Sequence, residues 1–101
     1  MPEFGTPQSV FSPGRKVTRE ELIRAIRFFV AAEYEAIQMY QEIAESTDNT
    51  LAKSVLYDIA NEEKVHAGEF LRLLKELDKE EEKFYKEGEK EVEEMIEKIN
   101  R

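Results

Sequence analysis

Asn61-Glu62-Glu63-Lys64-Val65-His66 holds the only histidine in a chain of 101 residues. Apolar residues bracket it at helical spacing: Leu56 and Ile59 before, Phe70, Leu73 and Leu77 after. On a helix, positions three apart share a face, so Glu63 and His66 project together from the apolar stripe. A carboxylate and an imidazole on such a stripe are costly to bury without partners. Two readings stay open at this point. The pair is a satisfied core histidine beside a glutamate at the edge of the stripe, or it holds a metal ion.

Working towards the N-terminus, Ser46-Thr47-Asp48-Asn49 is a turn rich in N-cap side chains. Before it, Leu22, Ile26, Phe29, Val30, Ala36, Ile37, Tyr40 and Ile43 or Ala44 trace one stripe. That periodicity predicts a helix from a capping box, Thr18-Arg19-Glu20-Glu21, to about Glu45. A second helix then runs from about Thr50 to Leu77. The short turn makes the two an antiparallel hairpin. Glu33 falls inside the first stripe, between Val30 and Ile37, where a solvated glutamate at a narrow point is the plain alternative. Glu33 and Glu63 each stand about 12 residues from the turn, so at 1.5 Å per residue both lie roughly 20 Å from it. Glu33, Glu63 and His66 are thus expected to converge, which favours the metal reading.

Towards the C-terminus, Asp78-Lys79-Glu80-Glu81 reads as another capping box, opening a third helix over about 79–100. Its narrow stripe is Phe84, Tyr85, Val92, Met95, Ile96 and Ile99, with Gly88 a weak point within it. Residues 1–17 carry three prolines, two glycines and no periodicity, and are expected to form a flexible tail before a helical domain over 18–101. Phe4, Val10 and Phe11 are the tail's candidates for docking on a neighbour.

A net charge of −8 argues against nucleic acid and anionic membranes as partners and suits attraction of cations. No apolar run is long enough to span a membrane. The N-terminus lacks the pattern of a secretory signal, so a cytoplasmic location is expected. Without cysteine, disulfides and thiolate metal sites are out of reach.

Di-iron carboxylate bundles take one Glu from each of two helices and a Glu-x-x-His from each of two more. This chain carries half of that set. Two copies about a two-fold axis would complete it, and would also cover the free apolar face of the hairpin. The sequence resembles the encapsulated ferritin family over about residues 20–97, most specifically in Ala32-Glu33-Tyr34-Glu35-Ala36-Ile37-Gln38-Met39-Tyr40 and Glu62-Glu63-Lys64-Val65-His66-Ala67. The resemblance implies an all-α, ferritin-like hairpin with a shorter C-terminal helix that completes a four-helix di-iron bundle by dimerisation. It implies Glu33, Glu63 and His66 as the iron ligands of a ferroxidase centre, with Tyr40 nearby. It implies a ring of dimers, typically a decamer, inside or fused to an encapsulin nanocompartment that stores the iron oxidised. Some members flank the ligand glutamate with carboxylates that take up the ion first; here Ala32 stands at one flank and Glu35 at the other. The chain closes on Lys98-Ile99-Asn100-Arg101 without the family's targeting tail, which suits the front part of a shell fusion. Two other classes stay in play: a rubrerythrin-like enzyme consuming oxygen or peroxide, and a helical assembly module without catalysis.

Overall fold

The structure, a computed structural model, describes residues 14–101. The expected tail falls almost wholly outside the described residues, and Phe4, Val10 and Phe11 with it. The described residues form three helices and no strand: α1 (Arg19–Ser46), α2 (Thr50–Leu77) and α3 (Lys79–Ile99). No helix among them is long and apolar enough to cross a membrane.

The expected capping box opens α1. The Thr18 hydroxyl accepts from the Glu21 amide at 3.1 Å, and the Thr18 amide donates to the Glu21 carboxylate at 2.9 Å. Arg15 closes on the same carboxylate with two bonds, at 2.7 and 2.6 Å. That guanidinium, with the cap, pulls the Glu21 carboxyl down to about 2. Asn49 caps α2 by accepting from the Ala52 amide at 2.9 Å. Only Thr47, Asp48 and Asn49 separate the helices, so α1 and α2 fold back as a hairpin roughly 42 Å long.

The seam of the hairpin differs from the stripe read off the sequence. Ile23, Ile26, Val30, Ile37 and Ala44 of α1 are buried against Ala60, Ala67 and Leu74 of α2. Leu22, Phe29 and Ile43 of α1 and Leu73 of α2 are exposed instead. The reason is steric. Alanines at 60 and 67 let the backbones approach closely, so the bulkier side chains turn to one flank of the seam. There they build a second apolar face that the chain itself leaves open, with Phe29 and Phe70 tilted together at 5.5 Å between ring centroids.

Asp78 alone joins α2 to α3. Its amide donates to Leu74 O at 2.9 Å, ending α2, while its carboxylate accepts from the Glu81 amide at 3.0 Å, starting α3. The reciprocal half of the expected capping box is missing because the Glu81 side chain is occupied elsewhere. It receives Nε of Arg27 at 3.0 Å, a further bond from Nη2 of the same guanidinium, and the hydroxyl of Tyr85. Arg19 of α1 adds a bond to Leu77 O. These polar ties set the direction of α3, since no α3 residue is buried. The helix swings out from the hairpin, giving extents of 53 × 43 × 18 Å.

Candidate metal centre

Glu33 and Glu63 stand at the midpoints of two helices of equal length, 28 residues each. Antiparallel pairing therefore brings them to one height. Glu33 reaches across from α1. His66 stands one turn beyond Glu63 on α2, with Nδ1 at 3.7 Å from Glu63 Oε2. The three residues offer one ligand atom each within 4.8 Å of one another. The convergence expected from residue counting is seen in the fold.

The environment is graded. Glu33 and Glu63 are half-buried and His66 is exposed. Oε2 of Glu33 is buried and has no hydrogen-bond partner. An anionic oxygen shut away from water without a donor is unfavourable, and such groups are rare in folded chains. A cation between the three side chains removes that cost. Two carboxylate oxygens and an imidazole nitrogen suit iron, and equally manganese, zinc or cobalt. On this observation the residues fit a divalent transition ion.

Of the other residues singled out, Tyr40 is half-buried two turns along α1, about 10 Å from Glu33 on the same side. It lies outside the three-residue group. Glu62 is exposed and outside the group, and Glu35 is half-buried two residues past Glu33, about half a turn round the helix. The Phe29–Phe70 pair was not anticipated as a unit. Phe29 precedes Glu33 by one turn and Phe70 follows His66 by one turn, so the rings wall one end of the donor group. Spacing from Glu33 and His66 was the signal available for it.

The donors lie on the flank that carries the unburied bulky side chains. One chain supplies two carboxylates and one imidazole, open to that flank. A long helical hairpin bearing such donors at mid-height is the ferritin-like arrangement.

The rubrerythrin family profile matches residues 20–101. A crystal structure described as the encapsulated ferritin domain from Pyrococcus furiosus superposes with a TM-score of 0.82 at 34% identity, covering 91% of this chain and 94% of that one. A ferritin-like–encapsulin shell fusion protein of the same organism is 40% identical over 78 residues, 77% of this chain and 23% of the relative. An encapsulin nanocompartment cargo protein, EncC, of Myxococcus xanthus is 42% identical over 66 residues, 65% of this chain and 51% of the relative. The chain thus spans about a quarter and about half the length of these two relatives. It belongs to the rubrerythrin family of ferritin-like proteins and, within it, to the encapsulated ferritins.

Proposed function

We propose that this protein is a ferroxidase whose working site is shared by two copies, and that residues 18–101 are the domain that does it. The observation that carries the reading is the group Glu33, Glu63 and His66, one oxygen of which is buried and unpartnered. The group is open on an apolar flank. A two-fold axis through the middle of that flank would bring two such groups face to face, since both lie at mid-helix. The apolar side chains around them would be covered in the same step. The four carboxylates so gathered balance the charge of two Fe²⁺.

Iron is the substrate here. Two Fe²⁺ held side by side give one electron each to O₂, which with two protons from water is reduced to the level of H₂O₂, and the iron leaves as Fe³⁺. Glu33 and Glu63 act as hard anionic donors, which favour the higher charge of the product. His66 adds a neutral nitrogen, so the site does not become more negative. Phe29 and Phe70 keep water from one end of the group. Tyr40 is the nearby redox-capable side chain on the same side of α1. The net charge of −8 draws Fe²⁺ towards the protein.

The names of the relatives support a setting for this chemistry. The chain is taken to work with an encapsulin shell, as cargo or as part of a fusion, inside a nanocompartment of the cytoplasm. There a ring of dimers, a decamer by resemblance, would supply Fe³⁺ for storage. The match to the rubrerythrin profile favours one second reading, in which peroxide rather than O₂ takes the electrons. The test is Fe²⁺ oxidation by the purified protein with O₂ and, without air, with H₂O₂. Oxidation by O₂ that stops in Glu33→Ala supports the ferroxidase. Turnover with peroxide alone favours the second reading. No bound metal and no turnover with either oxidant would leave a helical assembly module.

A further inference from the structure

A cleft of about 430 Å³ opens where the arm formed by α3 leaves the hairpin. Four cations line it: Arg19, Arg24 and Arg27 from the first turns of α1, and Lys79 from the start of α3. Three of the six arginines in the chain thus meet in one place, whereas α3 carries five lysines and no arginine. Arginine presents a planar fork of N–H donors and lysine a point charge, so the choice bears on what is held.

Three carboxylates share the lining, and their engagements leave donors over. Glu20 lies 3.6 Å from Nη1 of Arg19. Asp78 accepts from the Glu81 amide at 3.0 Å and stands 3.9 Å from Nη2 of Arg27. Arg27 gives Nε and Nη2 to Glu81 and keeps Nη1. Arg24 makes no hydrogen bond or ion pair among the described residues, and neither does Glu80. These two opposite charges line the same cleft without meeting across it.

We propose that the cleft binds a phosphate-type oxyanion, held by Arg24 and Nη1 of Arg27 from α1 and by Lys79 from α3. Phosphate oxygens accept paired N–H bonds from a guanidinium, which accounts for arginine at these positions. Arg24 and Arg27 are three residues apart and share a helix face, so one anion can take both. Lys79 gives up only Glu76, an exposed partner at 3.0 Å, and such pairs are weak. The volume falls in the range of small-ligand sites, larger than a single phosphate group needs. Orthophosphate and the end of a polyphosphate share the required chemistry. A bound anion bridges α1 and α3 and adds a tie at the base of the arm, beside that from Arg27 to Glu81. The site is independent of the metal centre, since Arg24 stands nine residues from Glu33, about 14 Å along α1.

The test uses the full chain freed of metal, because iron itself binds phosphate. It is titrated at low ionic strength with tripolyphosphate and, separately, with orthophosphate, and binding is read by calorimetry and ³¹P NMR. The expected result is saturable binding of one anion per chain. Tighter binding of tripolyphosphate identifies polyphosphate as the source, and equal affinity identifies free phosphate; both support the site if Arg24→Gln weakens them at least about tenfold, the loss of a charge-assisted contact. Arg101→Gln removes the same charge at the far end of α3 and should change affinity less than about twofold. Equal weakening by the two variants would reduce the effect to overall charge and overturn the proposal. Glu80→Gln takes an opposing charge out of the lining and should tighten binding, a gain that misfolding cannot mimic. Binding indifferent to both Arg24→Gln and Glu80→Gln lies elsewhere and refutes the assignment. No saturable binding of either anion by the helical parent refutes it too, and leaves the arginines to the attachment of α3 alone.

Discussion

Nδ1 of His66 lies 3.7 Å from Oε2 of Glu63, one turn apart on α2. That is too long for a hydrogen bond. It is within the span of two donors on one transition ion, each of which sits about 2 Å from the metal. Glu33 meets this pair from α1 with a buried oxygen that nothing else engages. Removing any of the three should therefore cost more than a packing change. Glu33→Ala, Glu63→Ala and His66→Ala are each expected to slow Fe²⁺ oxidation by at least about tenfold to a hundredfold, the range already seen for residues that merely support ligands. Glu62→Ala, an exposed change outside the group, should stay within about twofold. Initial rates in air decide it. Loss in Glu62→Ala with retention in Glu63→Ala would put the register off by one.

The unpartnered oxygen also predicts a trade between stability and function. In chelator, Glu33→Leu removes a buried polar group with no donor, which typically costs about 1–3 kcal/mol. The variant should unfold at higher urea than the parent while binding no metal. A lower unfolding midpoint would mean that Glu33 is satisfied in the free protein.

The two apolar flanks of the hairpin should respond differently. Ala60→Leu or Ala67→Leu overpacks the close seam and is expected to destabilise the chain by about 1–3 kcal/mol. Ile26→Ala opens the seam at a cost of about 2–5 kcal/mol. Phe29→Ser changes a side chain that is 44% exposed in the single chain. It should spare helicity and weaken metal-linked dimerisation. Helix content and native mass, measured side by side, separate the cases.

The attachment of α3 should depend on pH from both sides. Hydrogen bonds from the Arg27 guanidinium hold the Glu81 carboxyl below its ordinary value. A carboxyl lowered on folding stabilises above its unfolded value and loses that contribution as pH falls through the folded one. The Tyr85 hydroxyl is pushed up to about 12, chiefly by donating to Glu81. A group raised on folding stabilises below its unfolded value, near 10, and loses that contribution as pH rises through the folded one. The arm should thus hold its angle across neutral pH, loosen in acid below the ordinary carboxylate range, and loosen again in alkali. Distances between spin labels on α1 and α3 report the angle. Tyr85→Phe should abolish the alkaline change and leave the acid change in place.

Added Fe²⁺ in air should be oxidised and then precipitate unless a shell is supplied, because the ring of dimers proposed above would be open and enclose no cavity. Oxidation should slow as salt rises, since attraction by the net negative charge reaches only about 8 Å at physiological ionic strength. Size exclusion with metal analysis checks this. Hundreds of iron atoms co-eluting with this chain alone would point to a closed cage instead.

Much of the fold was legible in local chemistry. The Thr18–Glu21 box, the caps at Asn49 and Asp78 and the breaks between periodic runs placed each helix boundary among the described residues within a residue or two. Each of those signals acts over four residues or fewer. The meeting of Glu33 with Glu63 and His66 was legible for a geometric reason. A short turn fixes the height of every residue in an antiparallel hairpin, so counting from the turn is enough. Helical periodicity then told which residues are apolar but not which of two adjacent faces each would take. Only packing decided that, because the alanines at 60 and 67 reward close approach and turn Leu22, Phe29, Ile43 and Leu73 outward. The approach of Glu33 to Glu63 and His66 in detail and the tie from Arg27 to Glu81 were decided there too. They join residues distant along the chain, and no local pattern records how two separate helices meet.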